Sequence, residues 1–191
     1  IQGTKAASAD HVSGYDGGHA RKMAAAGWLR QAGIPLTLNA VCHQQNMDEI
    51  EDIVSLAVEL DAHRVEIATV QFHGWAMLNQ QALMPTMAQV SEATKIVETM
   101  RARLEGVLVI DYVPADYYAT YPKACMGGWG RAGLNVTPSG QVLPCHAAET
   151  IKHLSFDNVR SRPLREIWYD GSAFNAYRGD DWMPDLCRTC E

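Results

Sequence analysis

Strand-like and helix-like segments alternate over the first 113 residues of the chain. The segments rich in β-branched and apolar residues, which predict strands, lie at 36–43, 64–72 and 106–113. The segments with helical composition and periodicity lie at 19–32, 46–62 and 86–104. Strands and helices that alternate at this spacing are typical of βα units, which build a parallel sheet. We therefore predict an α/β fold, either an open sheet or an α/β barrel.

The predicted helix at 46–62 has the clearest signals. Asn46 is expected to be its N-cap, and an apolar stripe is expected to face the core. The stripe consists of Ile50, Ile53, Val54, Ala57 and Val58. Further towards the N-terminus, residues 1–4 suggest the end of a strand, and the Gly-, Ser- and Asp-rich residues 8–18 suggest a loop.

The character of the sequence changes after residue 122. Two short strands around Pro138-Ser139-Gly140 predict a hairpin, in which Gly140 would take a positive φ. A helix is predicted at 162–179, and four of its residues are expected to face inward. These are Leu164, Ile167, Trp168 and Phe174. We expect two domains, 1–122 and 123–191.

Composition restricts the kind of protein. The chain has 191 residues, of which 47% are hydrophobic, so it can bury a sizeable core. Its net charge of −6 argues against a nucleic-acid partner. It has no apolar run of about 18 residues and no signal segment, which favours a cytoplasmic protein that does not enter a membrane. The initial Ile1 and the cysteine motif at the far end suggest an internal piece of a longer protein.

Four of the five cysteines lie in the second half, at Cys125, Cys145, Cys187 and Cys190. Cys187 and Cys190 form a C-x-x-C pair, and the predicted hairpin would bring Cys145 back towards Cys125. Disulfides are disfavoured in an acidic chain without a signal segment. A Cys₄ zinc site and iron–sulfur clusters both suit the remaining pattern, and spacing alone leaves them level. Cys42 lies within a predicted strand and is expected to be a buried structural thiol.

The segments CMGGWGRAGLNVTPSGQVLPC and CRTC resemble the SPASM extension of radical S-adenosylmethionine (SAM) enzymes. That pattern begins C-x₉₋₁₅-G-x₄-C and continues, after a gap, with C-x₂-C-x₅-C-x₃-C. The residues that match it are Cys125, Gly140, Cys145, Cys187 and Cys190. The stretches GGWGRAGLNVTPSGQVLPCHAAE, YRGDDWMPDLCRTCE and VQFHGWAMLNQQALMPT are similar to the radical SAM/SPASM enzymes of pyrroloquinoline quinone (PQQ) biosynthesis.

The resemblance implies the later part of a radical SAM (β/α) barrel, followed by a small SPASM domain with a hairpin and a helix. In the family a C-x₃-C-x₂-C motif holds the SAM-binding 4Fe–4S cluster. This chain has no such motif, so the fragment alone is expected to be inactive. Cys125 and Cys145 would ligate a first auxiliary iron–sulfur cluster, and Cys187 and Cys190 a second.

Three residues are candidates for SAM binding by the same resemblance. Arg21 has the spacing of an arginine that pairs with the SAM carboxylate, but it could equally be a solvated helix residue. Asn39 and Gln71 are expected near the carboxyl ends of strands, where barrel enzymes build their sites, or as satisfied polar residues of the barrel lining. Gln2 stands where relatives have the acid of an S-x-D-G motif.

Two histidines are further candidates. His146 directly follows Cys145, where some SPASM relatives place an acidic proton acceptor. It could be a catalytic base, because imidazole titrates near neutral pH, or it could only hydrogen-bond the cluster region. His73 could contact a peptide or cap a strand.

The family resemblance also implies a reaction and partners. A 5′-deoxyadenosyl radical from SAM would start a carbon–carbon cross-link between Glu and Tyr side chains of the precursor peptide PqqA. The peptide chaperone PqqD would present the substrate, and an electron donor such as flavodoxin would supply electrons. The alternatives are another SPASM enzyme that modifies a different peptide or a sulfatase, and a non-enzymatic Cys₄ zinc module that binds a peptide.

Overall fold

Three parallel strands form the sheet of the first half of the chain. They are β1 (Thr37–Cys42), β2 (Arg64–Thr69) and β3 (Val109–Val113), in that order across the sheet. Leu38 lies beside Val65, which lies beside Ile110. The three predicted strands and their parallel arrangement are confirmed. The strands run parallel because each connection contains a helix that returns the chain to the end of the sheet where the preceding strand began.

The computed structural model describes residues 1–72, 74–118 and 127–189. The chain divides into two compact units, Ile1–Pro122 and Lys123–Glu191. None of the helices in the described ranges is long and apolar enough to cross a membrane.

The core of the first unit lies on one face of the sheet. α3 (Ile50–Glu59) and α6 (Met87–Arg103) pack there against the alternating buried residues of the strands. α6 begins with a capping box in which Thr86 and Gln89 exchange hydrogen bonds, and this fixes its start. The short helices α4 (Trp75–Leu78) and α5 (Gln80–Leu83) lie between β2 and α6.

The opposite face of the sheet carries both polar side chains and exposed valines, which are Val41, Val109 and Val113. The side-chain amide of Asn39 donates a 3.0 Å hydrogen bond to a carboxylate oxygen of Glu66 on the neighbouring strand. On the same face, the guanidinium of Arg64 pairs with the carboxylate of Asp111. Cross-strand pairs of this kind stabilise the pairing of neighbouring strands.

Two predictions for the helix at 46–62 were wrong in detail. Asn46 does not cap it, because a 3₁₀ turn (Met47–Glu49) precedes α3 and the Asn46 side chain bonds elsewhere. The apolar stripe ends one residue early, since Val58 is 40% exposed while Ala57 is fully buried.

The N-terminal predictions were also wrong. Residues 1–4 form no strand, and most of the predicted loop at 8–18 belongs to α1 (Ala6–Ser13). Alanines favour this helix, and Gly14 ends it in the left-handed conformation with a φ of +64°. The Asp10 carboxylate accepts hydrogen bonds from the backbone N–H groups of Gly17 and His19, at the start of α2 (Gly18–Gln31).

The predicted hairpin of the second unit is confirmed. β4 (Asn135–Val136) pairs antiparallel with β5 (Val142–Leu143), and Gly140 between them has a φ of +91°. A 3₁₀ turn (Ala148–Thr150) follows.

The predicted helix at 162–179 is broken. Gly171 is extended, with a ψ of 130°, and separates α7 (Leu164–Asp170) from α8 (Ser172–Asn175). A Cβ at this position would lie 2.3 Å from the carbonyl oxygen of Ile167, so the break needs glycine. Ile167 and Phe174 are buried as predicted and Trp168 packs against them, but Leu164 is 44% exposed because it begins the helix.

Candidate metal centre

Cys145 lies two residues after β5, in an apolar pocket. It is 9% exposed and is buried together with Leu143 and Ala148. Trp129, Ala147 and Phe156 cover this group from the side. The thiol is free. A soft sulfur donor in apolar surroundings suits a metal–thiolate centre, because low polarity strengthens the bond between thiolate and metal.

Cys187 lies in α9 (Asp185–Arg188), is exposed and is also free. Its backbone N–H donates a 2.8 Å hydrogen bond to the carbonyl of Pro184, which begins the short helix. Cys125 and Cys190 lie outside the described residues. Within the ranges that the structure describes, no three His, Cys, Asp or Glu side chains form a group that could hold a metal ion.

His146 does not belong to the buried group that contains Cys145. It is exposed and makes no hydrogen bond to a residue in the described parts of the chain. The structure thus gives it a solvent-accessible imidazole directly beside a candidate ligand. His73 lies outside the described residues.

The first unit contains a pocket of about 370 Å³ that includes Arg21. Two of the residues that line it are cationic, Arg21 and its neighbour Lys22. The lining residues are Ser13, Tyr15, Gly18, Arg21, Lys22 and Ala25. The Arg21 guanidinium lies over the Tyr15 ring, 5.4 Å from its centroid, and the Lys22 ammonium donates to the side-chain oxygen of Gln2. These six residues bring two cations and no carboxylate, although most of the surface they offer to the pocket is apolar and the Asp10 carboxylate lies beside Gly18.

The other two SAM candidates lie apart from this arrangement. Asn39 is the third residue of β1 rather than a residue at its carboxyl end, and its amide is bonded to Glu66. Gln71 follows β2 by two residues and is exposed. No hydrogen bond among the described residues joins Arg21, Asn39 and Gln71.

A buried histidine at the carboxyl edge of the sheet was missed by sequence reasoning. His43 follows β1 directly and is 5% exposed. Its Nδ1 accepts a hydrogen bond of 3.3 Å from the backbone N–H of Gln45, while its Nε2 has no partner among the described residues. Burial lowers the pKa of His43 below its ordinary value, because the charged imidazolium would lose its hydration.

Arg178 was missed as well. It donates to the carbonyl of Gly130, 48 residues away. No local sequence pattern predicts such a contact, although the unusual GGWG segment indicates the loop that contains the acceptor, Gly130.

Comparison with known proteins gives the wider context. Residues 125–191 match the SPASM family, described as an iron–sulfur cluster-binding domain. Curated proteins named PqqA peptide cyclase are similar along the whole chain. That of Rhizobium meliloti (strain 1021) is 66% identical over 191 residues, that of Ruegeria pomeroyi 60% over 191, and that of Methylocella silvestris 54% over 190. The chain covers 51% of each, so it spans about half the length of these relatives.

Two crystal structures of Streptococcus suis SuiB have the same fold. One has a TM-score of 0.66 at 17% sequence identity, and the match covers 83% of this chain and 40% of the SuiB chain. The other is bound to S-adenosylmethionine and has a TM-score of 0.70 at 16% sequence identity. This match covers 92% of this chain and 42% of the SuiB chain. The predicted α/β fold class is therefore confirmed. The resemblance found in the sequence is confirmed too: residues 125–191 match the SPASM family, and the whole chain is homologous to about half of a PqqA peptide cyclase.

Proposed function

We propose that the chain is part of a radical SAM enzyme that joins Glu and Tyr side chains of the PqqA precursor peptide through a carbon–carbon bond. The observation that supports this most directly is the 66% identity, over the full 191 residues, to a protein named PqqA peptide cyclase. The fold shared with a SAM-bound structure and the SPASM match agree with it.

Four cysteines would hold the auxiliary iron–sulfur clusters. Cys125 and Cys145 ligate the first and Cys187 and Cys190 the second, each as a thiolate. When bound, such clusters supply one-electron transfer at a potential that burial and hydrogen bonds to sulfur adjust. The apolar pocket around Cys145 supports this role, because it would limit access of water to the first cluster.

The pocket of Arg21 and Lys22 would hold the carboxylate of SAM. Arg21 can offer parallel N–H donors to the two carboxylate oxygens, and Lys22 adds a second positive charge. Asn39 and Gln71 would contact other polar groups of SAM from the sheet and its carboxyl edge.

His146 would accept a proton in the final step. After a glutamate carbon radical adds to the tyrosine ring, the ring must lose one electron and one proton to become aromatic again. An exposed neutral imidazole can take the proton and release it to solvent. The auxiliary clusters that the four cysteines would hold supply one-electron chemistry suited to accepting that electron, or else they keep the substrate site in shape.

The proposed partners follow from the same assignment. The relatives are named PqqA peptide cyclase, and we propose the precursor peptide PqqA as the substrate. We propose in addition that PqqD presents the peptide, that a flavodoxin-like donor supplies electrons, and that the enzyme works in the cytoplasm.

Iron and sulfide analysis of the full-length anaerobic protein, with electron paramagnetic resonance (EPR), tests the proposal. We expect cluster iron beyond that of one SAM-binding cluster, and less of it in Cys187→Ala. PqqA peptide incubated with the protein, SAM, PqqD and a reductant should lose two hydrogen atoms by mass spectrometry. Stoichiometric zinc without auxiliary iron would instead support a Cys₄ zinc module. Conversion of another peptide, with PqqA unchanged, would support a different SPASM enzyme.

A further inference from the structure

A loop in the second unit is held by an arginine that lies far away in the sequence. The loop comprises residues 127–131, and the carbonyl oxygen of Gly130 accepts two hydrogen bonds from Arg178. The Nη2 atom donates at 2.6 Å and the Nε atom at 3.2 Å. A guanidinium that offers two donors to one carbonyl fixes that peptide group more firmly than a single donor can.

The guanidinium itself has little freedom. Its central carbon lies 5.3 Å from the centre of the Trp168 ring and 5.5 Å from that of Phe174. Its Nη1 atom donates a 2.9 Å hydrogen bond to the side-chain oxygen of Asn175. Stacking on aromatic faces and a third hydrogen bond orient the plane of the group, so Arg178 is a rigid support.

The same loop contacts the pocket of Cys145. The Trp129 indole N–H donates a 2.8 Å hydrogen bond to the carbonyl of Ala173, and its ring meets the Tyr177 ring edge to face at 5.0 Å. The ring also packs against the buried group of Leu143, Cys145 and Ala148. Trp129 therefore connects the segment that contains Arg178 with the segment that contains Cys145.

The loop approaches its support too closely for a side chain at its centre. Gly130 has a φ of +59° and is buried, and a Cβ there would lie 3.1 Å from Cδ1 of Phe174 and 3.3 Å from Nε of Arg178. Glycine permits both the backbone conformation and this close approach.

We propose that Arg178 is a positioning residue for Cys145, a proposed ligand of the metal centre. Trp129, the residue before Gly130 in the loop, packs against the buried group of Leu143, Cys145 and Ala148. Fixing the Gly130 carbonyl thus holds the preceding residue, Trp129, against that group. The iron–sulfur identity of the centre rests on the proposed function, but the role of Arg178 does not depend on which metal the cysteines bind.

The test uses the full-length anaerobic protein with alanine in place of the upstream cysteines of the SAM-cluster motif, so that all bound iron is auxiliary. In this background we compare Arg178→Gln, Arg178→Lys and Arg165→Gln. Arg165 has no side-chain partner in the described parts of the chain and is exposed, so it controls for the lost charge. The measurements are the rate of iron loss to a chelator and the EPR spectrum of the reduced protein.

We expect Arg178→Gln to lose iron about 10-fold faster, the size of effect typical for residues that orient metal ligands. Its EPR line shape should change. Arg178→Lys should be intermediate, because an ammonium can still donate to Gly130 but cannot reproduce the planar stacking. Arg165→Gln should match the unsubstituted protein.

Equal rates and spectra for Arg178→Gln and the unsubstituted protein would overturn the inference. Circular dichroism shows whether Arg178→Gln folds. If it does not fold, the test rests on Arg178→Lys, and a wild-type rate of iron loss with a wild-type EPR spectrum in that variant would overturn the inference. If the unsubstituted protein contains zinc, the proposed function fails, and the same comparison of zinc release decides the role of Arg178.

Discussion

The side-chain oxygen of Asn46 accepts a 2.7 Å hydrogen bond from the backbone N–H of His43. Its side-chain amide donates to the carbonyls of Gln2 and Val41, each at 3.1 Å. Asn46 is only 1% exposed, so water does not replace these bonds. One side chain therefore ties the end of β1 and the turn after it to the segment before α1.

Replacement of Asn46 should lower the free energy of unfolding by more than the loss of a helix cap does. We expect Asn46→Ala to lower the free energy of unfolding by about 3 kcal/mol, because it leaves buried backbone groups without partners. Asn46→Asp should also destabilise the protein, since a carboxylate would face two carbonyl oxygens. Urea unfolding measures both, with the exposed Gln45→Ala as control. A loss below about 0.5 kcal/mol in Asn46→Ala would contradict this account.

His43 should make stability depend on pH. Burial lowers its pKa in the folded state, so below its ordinary value of about 6.5 the unfolded chain binds the proton more readily. Stability is therefore complete above that pH and falls as the pH drops towards the folded-state pKa, by at most about 1.4 kcal/mol per unit.

Unfolding free energies at pH 7.5 and 5.5 test this, and the difference should be smaller in His43→Gln than in the wild type. Asp10 does not obscure the comparison. The hydrogen bond from the His19 N–H leads the effects that lower its pKa below the ordinary carboxyl range, so its contribution disappears only at lower pH. Equal pH differences in the two proteins would exclude this role for His43.

Gly140 should tolerate no side chain. Its φ of +91° is unfavourable for other residues, and a Cβ would lie 2.6 Å from the side-chain oxygen of Asn158. Asn158 also donates to the carbonyl of Ser139 and so closes the hairpin turn.

Gly179→Ala is the matched control, because Gly179 has a φ of +70° with no atom within 4 Å of a Cβ. Gly179→Ala should cost about 1 kcal/mol for backbone strain alone, and Gly140→Ala clearly more. Thermal unfolding of the two variants measures the difference. Equal melting temperatures would show that Asn158 moves aside freely.

The sequence was most informative where a pattern repeats locally. β1 and the long α6 depend on residues close together in the chain, and each was predicted to within one residue at both ends. β2 was predicted with the correct start but three residues too long. The hairpin at Gly140 was predicted for the same reason, because its turn residues adjoin its strands.

Contacts between distant segments were not predictable from such patterns. Asn46 is a residue type that often caps helices, yet its side chain forms hydrogen bonds with three backbone groups outside the helix instead. Gly171 interrupts a helical pattern, and a Cβ there would also lie 3.2 Å from a carboxylate oxygen of Asp157, which is 14 residues away. The bond from Arg178 to Gly130 depends on the fold of the whole unit. Cysteine spacing predicted a metal–thiolate site, but not the residues that support it.

Arg21 should contribute to SAM binding. In the full-length protein, Arg21→Gln should raise the Kd for SAM about 10-fold, equivalent to one charge-assisted hydrogen bond of about 1.4 kcal/mol. Lys22→Met should have a similar effect through the lost charge in the same pocket. The control is Arg30→Gln in the same helix, whose guanidinium faces Asp61 at 3.7 Å outside the pocket. Unchanged affinity in both pocket variants, at equal iron content, would remove this pocket from the SAM site.

The two buried cysteines that the structure describes should behave oppositely on substitution. Cys42 is fully buried, and burial raises the pKa of its thiol to about 12, so it stays protonated at neutral pH and does not act as a thiolate ligand. Cys42→Ala should therefore keep all its iron and lose about 1 kcal/mol of stability to a small cavity. Cys145→Ala should lose the iron and sulfide of one auxiliary cluster, because its thiolate is a proposed ligand. Both are measured on anaerobically purified full-length protein. Iron loss in Cys42→Ala with full iron in Cys145→Ala would reverse the assignment of structural and ligand cysteines.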